Sequence, residues 1–250
     1  MPKEKTKKAQ KSDEIVVNLD AFVVPLSIIL AGVIIAGAIL LSNKGTGTPT
    51  VGGTDNAGDN VAEEEFQDAQ TTIADAPYLG DIKKAKVAIV EYTDYQCPYC
   101  KQHDQNTKAD LIKNYVDTGD AIYVFREFPL DFHGQIAIDS ANAALCVNEI
   151  AGVEKFAQYA SNIYEVASNE ELVTAAQDLG VDMEKFNTCV DEMRYQASID
   201  QGLADGAAAG VQGTPGFIVG VLDGDGNVTG KLIPGAYPYD TFAQMLDELL

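Results

Sequence analysis

A Cys-Pro-Tyr-Cys motif at residues 97–100 joins a β-rich run to a proline-started helix, and no other feature constrains this chain as much. Lys86-Val87-Ala88-Ile89-Val90-Glu91-Tyr92 is apolar, rich in β-formers and too short for an independent helix, so it reads as a strand. Thr93 to Gln96 form a loop. Pro98 sits where a helix starts, since proline is favoured at the first helical position, and Cys97 becomes the N-cap of a helix running to about Asp117. Free N–H groups and the helix dipole at that end stabilise a thiolate on the first sulfur. The second sulfur lies one turn on, within reach of a mixed disulfide formed by the first. Cys97 is the candidate nucleophile and Cys100 the candidate resolving thiol. Two other readings stand beside this one: a zinc half-site, and a 97–100 disulfide that is only structural. Zinc needs a second ligand pair, yet Cys146 and Cys189 stand singly and far apart. His103 and His133 read as structural or surface residues and are left off the site.

Downstream, Ala121 to Phe128 form a second strand ended by Pro129. From Ile136 to about Gly210 the pattern turns helical, with Ala141, Ala144, Leu145 and Asn148 spaced for one helix face. Further amphipathic runs cover Lys155–Ala167, Glu170–Leu179 and Met183–Ala209, broken at Gly152, Ser168-Asn169 and Gly180. Gly213-Thr214-Pro215-Gly216 is a sharp breaker. Phe217-Ile218-Val219 and Val228–Ile233 then form two strands about the turn Asp223-Gly224-Asp225-Gly226-Asn227, and Tyr239–Leu250 closes as a helix. That turn mimics the start of a calcium loop, but its twelfth position is Pro234 where a bidentate Glu is needed, so it reads as a plain turn. The order is β-α-β, a helical block, then β-β-α. Without the block, this is a compact α/β unit whose last two strands are antiparallel.

The N-terminal quarter is different. Ala21 to Leu41 is 21 residues without a charge, enough at about 1.5 Å per residue to span roughly 30 Å of hydrocarbon. Its end, Leu40-Leu41-Ser42-Asn43-Lys44, is a poor cleavage site, so it reads as an uncleaved signal anchor. Lys3, Lys5, Lys7, Lys8 and Lys11 precede it and Lys44 alone comes after it, which places residues 1–20 in the cytoplasm and the body outside. Residues 42–77 are polar and Gly-rich at first and read as a flexible linker, with a loose helix as the alternative for 61–77. Beyond residue 44 the chain holds 11 basic and 34 acidic side chains. Such a surface favours solubility and argues against nucleic-acid partners, whose phosphates need Lys and Arg. There is no internal repeat.

Several separated motifs, in order, resemble the DsbA-like thiol:disulfide oxidoreductases. They are Glu91-Tyr-Thr-Asp-Tyr-Gln-Cys-Pro-Tyr-Cys100, Phe125-Arg-Glu-Phe-Pro-Leu130 with His133, Ala143-Ala-Leu-Cys146 and Gly210-Val-Gln-Gly-Thr-Pro215. The resemblance covers about 78–250. It implies a thioredoxin-like α/β fold with an inserted α-helical domain at about 136–210, here preceded by one transmembrane helix. It also implies a cis-proline loop at Thr214-Pro215 facing the cysteines, with substrate backbone pairing beside it. The local chemistry agrees, because cis bonds occur almost only before proline. Glu91 shares a strand face with Val87 and Ile89, six positions before Cys97, and the resemblance makes it a buried acid assisting proton transfer at Cys100. With 97–100 assigned, the remaining pairing is a structural disulfide between Cys146 and Cys189, closing a loop worth roughly 3–4 kcal/mol in the chain-entropy model. Two free buried thiols are the alternative.

Together these features predict a membrane-anchored oxidoreductase that donates disulfides to reduced exported proteins and is reoxidised by a membrane redox partner, with no cofactor and no metal. The dipeptide is Pro-Tyr where the strongest oxidases of the family have Pro-His, so a donor to the Cys97 thiolate is missing and the expected oxidising power is intermediate. A reductase or isomerase of the same fold is the second reading. An anchored binding or chaperone-like domain with purely structural cysteines is the third.

Overall fold

The computed structural model describes residues 66–250. Its six described strands form one sheet: β1 (Gln67–Thr72), β2 (Tyr78–Leu79), β3 (Val87–Thr93), β4 (Ala121–Glu127), β5 (Gly216–Leu222) and β6 (Asn227–Pro234). Their spatial order is β1-β6-β5-β3-β4-β2, with β3 and β4 parallel and every other neighbouring pair antiparallel. The parallel pair needs a crossover, and helix α1 (98–116) supplies it. Five helices lie between β4 and β5: α2 (Gln135–Ala151), α3 (Val153–Asn162), α4 (Asn169–Asp178), α5 (Met183–Asp191) and α6 (Gln196–Ala208). Helix α7 (Tyr239–Leu249) ends the chain. This is the expected thioredoxin-like sheet with a helical insertion.

The strand run 87–93 is apolar without alternation because both sheet faces are covered. On one face Val87, Ile89, Tyr123, Phe125 and Phe217 pack with Leu111 of α1, Phe242 of α7 and Phe156 of the insertion. On the other, Val90, Tyr92, Ile122, Val124 and Ile218 meet Phe128, Ala209 and Val211. Each such side chain contributes about 1.5–3 kcal/mol by leaving water. Helix α6 lies hard against the end of β4. A Cβ on Gly202 would stand 2.4 Å from the Glu127 carbonyl oxygen, and one on Gly206 would stand 2.6 Å from the Phe128 ring.

Three expectations need correction. The linker does not extend to residue 77: Gln67–Thr72 pairs antiparallel with β6, and Ala69 and Ile73 are buried. The strand was hard to see because Ala69 is its single buried side chain, giving almost no alternation to detect. The long helix expected over 183–209 breaks between α5 and α6, where Met193 takes φ +46°. The helix expected over 155–167 stops at Asn162, and Glu165 takes φ +62°. The next helix starts as its sequence suggests, with the Ser168 hydroxyl accepting the Glu171 N–H and the Glu171 carboxylate reaching back to the Ala167 N–H. The Asp223 turn is satisfied internally, its carboxylate accepting from the Asp225 and Asn227 N–H groups.

The expected basic segment 1–20, anchor 21–41 and first part of the linker lie outside the described residues. Among the described residues no helix is long and apolar enough to cross a membrane.

Candidate active site

Cys97 occupies the N-cap of α1 in extended conformation (φ −87°, ψ 120°), with Pro98 opening the helix. Its own N–H is held by the Asp94 carbonyl at 3.0 Å, and it is 4% exposed. The Thr214–Pro215 peptide is cis, and this loop sets the Thr214 carbonyl 3.2 Å from the Cys97 sulfur across 117 residues of chain. That carbonyl accepts from the thiol. The thiolate has other donors: chiefly the Cys100 thiol, then Thr214 and the N–H groups of Cys100 and Tyr99, which together pull the Cys97 pKa down to about 5 against the effect of burial. Cys100 behaves oppositely. It is fully buried, and burial followed by the Cys97 sulfur pushes its pKa well up. One turn of helix thus carries a thiol poised to ionise and a thiol poised to keep its proton.

Behind Cys100 lies a buried polar layer. Glu91 is on the Val87–Ile89 face and 1% exposed, with burial raising its pKa. Its Oε2 accepts the Tyr123 hydroxyl at 2.8 Å, while its Oε1 has no partner among the described residues. His103 stands 2.9 Å from the same hydroxyl and packs on Phe217; burial and Lys108 drive its pKa down to about 3, so it is neutral. With the Tyr123 proton given to Glu91, the His103 Nε2–H donates to the Tyr123 oxygen.

Helix α1 widens to a π-turn over Asp104–Lys108. Buried Lys108 bonds there to Asp104 and to the Ser161 hydroxyl of α3, and its positive charge opposes the rise at Glu91. Glu127 is a second buried carboxyl, accepting from Tyr95 at 3.0 Å, and its pKa is well raised by burial.

Asp94 organises the loop before Cys97. Its carboxylate accepts the Gln96 N–H at 2.8 Å and the Leu130 N–H at 2.7 Å, and it pairs with His133 Nδ1 at 2.7 Å. Two aromatic side chains stand out from the surface, Tyr99 at 63% and Phe132 at 79% exposure. A groove of about 1030 Å³ runs beside Tyr99, Gln102, Thr214, Pro215 and Leu232, and no charged residue lines it.

The structure brings Cys97, Cys100, Glu91, Thr214 and Pro215 together. Cys146 and Cys189 are bridged, joining α2 to α5 in the insertion. His103, Lys108, Asp94, His133 and Glu127 were missed or set aside by sequence reasoning. One signal was available: Lys108 comes after Cys100 and Asp104 at four-residue intervals, which places it on the helix stripe that faces inward. Among the described residues no group of three or more His, Cys, Asp or Glu could hold a metal ion.

A cysteine pair at a helix start, a facing cis-proline loop and a buried acid on the central strand form one cluster on this thioredoxin-like sheet. The chain belongs to the thioredoxin family, whose profile, described as Thioredoxin, matches residues 73–232. It is 28% identical over 166 residues to the Na(+)/H(+) antiporter NhaA of Herminiimonas arsenicoxydans, covering 65% of this chain and 24% of that protein. It is 27% identical over 147 residues to Disulfide bond formation protein D of Bacillus subtilis, covering 57% of this chain and 64% of that one. The chain therefore spans under two thirds of the length of each of these relatives. The crystal structure of oxidised BdbD from Bacillus subtilis superposes with a TM-score of 0.61 at 21% identity, covering 74% of this chain and 97% of that one.

Proposed function

We propose that this chain is a DsbA-like protein thiol:disulfide oxidoreductase that donates disulfides to reduced exported proteins. The observation that carries the reading is the opposition within one helical turn: Cys97 with its pKa near 5 at the Thr214 carbonyl, and Cys100 buried with its pKa well raised. A substrate thiolate attacks the Cys97 sulfur of the Cys97–Cys100 disulfide. The S–S bond breaks, the electron pair goes to Cys100, and Cys100 takes a proton. The second substrate thiolate then attacks the substrate sulfur of the mixed disulfide and expels Cys97, a good leaving group because its thiolate is stabilised. The substrate ends oxidised and the enzyme reduced. A membrane redox partner that accepts two electrons restores the enzyme disulfide. Glu91 gives and recovers the Cys100 proton in the dry interior, and the uncharged groove takes an extended substrate segment.

The layout proposed with it is a cytoplasmic basic segment 1–20, a single-pass signal anchor 21–41 in the lipid bilayer, a linker that ends before β1, and the catalytic domain outside the cytoplasm. The linker limit comes from the position of β1, and the rest rests on the sequence alone. An impermeant thiol reagent should reach Cys97 in intact monoderm cells or spheroplasts after mild reduction; protection until lysis reverses the topology.

One observation favours a weaker oxidant or a reductase. Tyr99 turns its ring outward, so its side chain gives no donor to Cys97 and only its backbone N–H does. Incubation with a reduced, unfolded protein decides the direction. Disulfides should form in the substrate, Cys100→Ser should trap a mixed disulfide through Cys97, and Cys97→Ser should form none. An equilibrium potential near about −270 mV, with the pair reduced in cells, moves the assignment to the reductase.

A further inference from the structure

The loops that leave the two parallel strands are stitched together just before Cys97. Strands β3 and β4 end side by side, and the Phe128 N–H donates to the Thr93 carbonyl at 2.8 Å. Beyond that bond the Asp94 carboxylate is buried and collects three donors. It takes the Gln96 N–H at 2.8 Å from its own loop, and the Leu130 N–H and His133 Nδ1, at 2.7 Å each, from the loop after β4. A carboxylate only accepts, so Nδ1 carries the proton. His133 is itself held by its N–H, which donates to the Leu130 carbonyl at 2.9 Å, and by the Phe132 ring, with centroids 4.3 Å apart. The Asp94 carbonyl completes the turn by accepting the Cys97 N–H at 3.0 Å. The insertion also touches this turn, through the Glu165 N–H on the Tyr95 carbonyl at 2.8 Å, but it leaves the Cys97 N–H to Asp94.

We propose that Asp94 and His133 are positioning residues of the exchange reaction, together holding turn 94–97 so that the Cys97 sulfur meets the donors at the start of α1. This rests on the reading of Cys97 as the nucleophile. The groups that favour the Cys97 thiolate are the Cys100 thiol, Thr214 and the N–H groups of Cys100 and Tyr99. These are hydrogen bonds, which weaken steeply when the sulfur moves by about an ångström. Asp94 and His133 are not among them. The Asp94 charge is felt at Glu127, whose pKa it helps to raise, but it is no cause of the shift at Cys97. The pair therefore works on the backbone that carries the sulfur and not on the field around it. Residues 94–96 include neither glycine nor proline, so an Asx-type turn closed by the Asp94 side chain sets their conformation. His133 and Leu130 anchor that side chain to the end of the neighbouring strand.

Asp94→Asn separates position from charge, because the two predict opposite signs. Loss of a negative charge alone favours the thiolate and lowers the pH midpoint for alkylation of reduced Cys97. The amide, however, keeps one acceptor oxygen and sets an NH₂ group against a donor, so the turn loosens. The midpoint should then rise by about 0.5–1 unit, three- to tenfold less thiolate below it. His133→Leu should also raise it. His133→Asn, whose amide nitrogen can stand where Nδ1 stands, should return it to within about 0.2 unit of wild type. His133 belongs to neither apolar cluster and its side chain is 18% exposed, so its replacements keep the fold even where buried Asp94 tolerates no change. A midpoint that is unmoved or lower in Asp94→Asn or in His133→Leu overturns the proposal. So does a His133→Asn midpoint displaced as far as that of His133→Leu. Alkylation by a small reagent does not depend on turnover. If the midpoints move as expected while the wild-type chain exchanges no disulfides, the exchange reading fails and the hold of Asp94 and His133 on Cys97 stands.

Discussion

Cys97 and Cys100 lie where a strand ends and a helix begins, whereas Cys146 and Cys189 sit within α2 and α5 and tie one helix to the other with their Cα atoms 5.9 Å apart. Both pairs are buried, so exposure does not distinguish them. Backbone hydrogen bonding does. At the start of α1 the Tyr99 and Cys100 N–H groups have no helical partner and turn to the Cys97 sulfur, and the Thr214 loop adds polar contacts from across the sheet. Inside α2 and α5 the corresponding N–H groups serve the helix itself, so nothing stabilises a thiolate. The same side chain is thus suited to cycling in one region and to cross-linking in the other.

Cysteine replacement should break this comparison most visibly. Cys97→Ser should lower disulfide transfer to a reduced protein by roughly a thousandfold or more, because Cys100 is fully buried and cannot take its place. Double replacement of Cys146 and Cys189 by Ser should instead cost roughly 4 kcal/mol of stability for the 43-residue separation and leave the transfer rate within a small factor. Urea unfolding and stopped-flow transfer measured on both variants test the pair of statements together. Loss of transfer at unchanged stability in the second variant would make the insertion disulfide a redox relay and end the distinction.

Titration sharpens the same contrast. The Cys97 pKa is depressed in the folded state, so the stability it contributes to the reduced protein is present above the unfolded value of about 8.5 and is lost as pH falls through about 5. The oxidised form has no such group. The stability advantage of the oxidised over the reduced protein should therefore shrink as pH rises from about 5 to 8.5, and the Cys97→Ala variant should lack the gain in stability that the reduced wild type shows over that range. A difference between the two redox forms that is flat across this range contradicts a stabilised thiolate.

The smallest expected effect is at Glu91, whose pKa is raised. The stability it contributes is fully present below the unfolded carboxyl value of about 4.3 and is lost as pH rises through the folded value. Glu91→Gln should therefore match the wild type near pH 4 and exceed it at higher pH, each kcal/mol appearing as about 2–4 °C in melting temperature. It should also slow the step in which Cys100 gains or loses its proton. Kinetics identical to wild type from about pH 5 to 9 would sink the catalytic role of Glu91 and leave only the structural one.

Much of the central scaffold was legible in one dimension. The run Val87–Tyr92, the proline after Cys97 and the apolar stretch from Ala121 announce a β-α-β unit through composition and local propensity. The edge strand β1 did not announce itself, because a six-residue segment with one buried alanine borrows its order from β6. The helix ends at Asn162 and Asp191 were equally hidden. No glycine or proline marks either break, and the chain turns there because the loop at Glu165 and the junction at Met193 are held by contacts elsewhere. His103, read as a structural or surface residue, proved to be buried against the central strands.

Local chemistry alone was enough to mark Cys97 as a helix cap, Cys100 as its neighbour one turn on and Glu91 as an acid on an apolar face, because each depends on residues within a few positions along the chain. The properties that make these groups reactive were settled by approach from a distance. Thr214 meets the Cys97 sulfur, and Lys108 brings a buried charge to Glu91. A pKa is set by burial and by the charges within a few ångströms, and only the folded chain decides which residues those are.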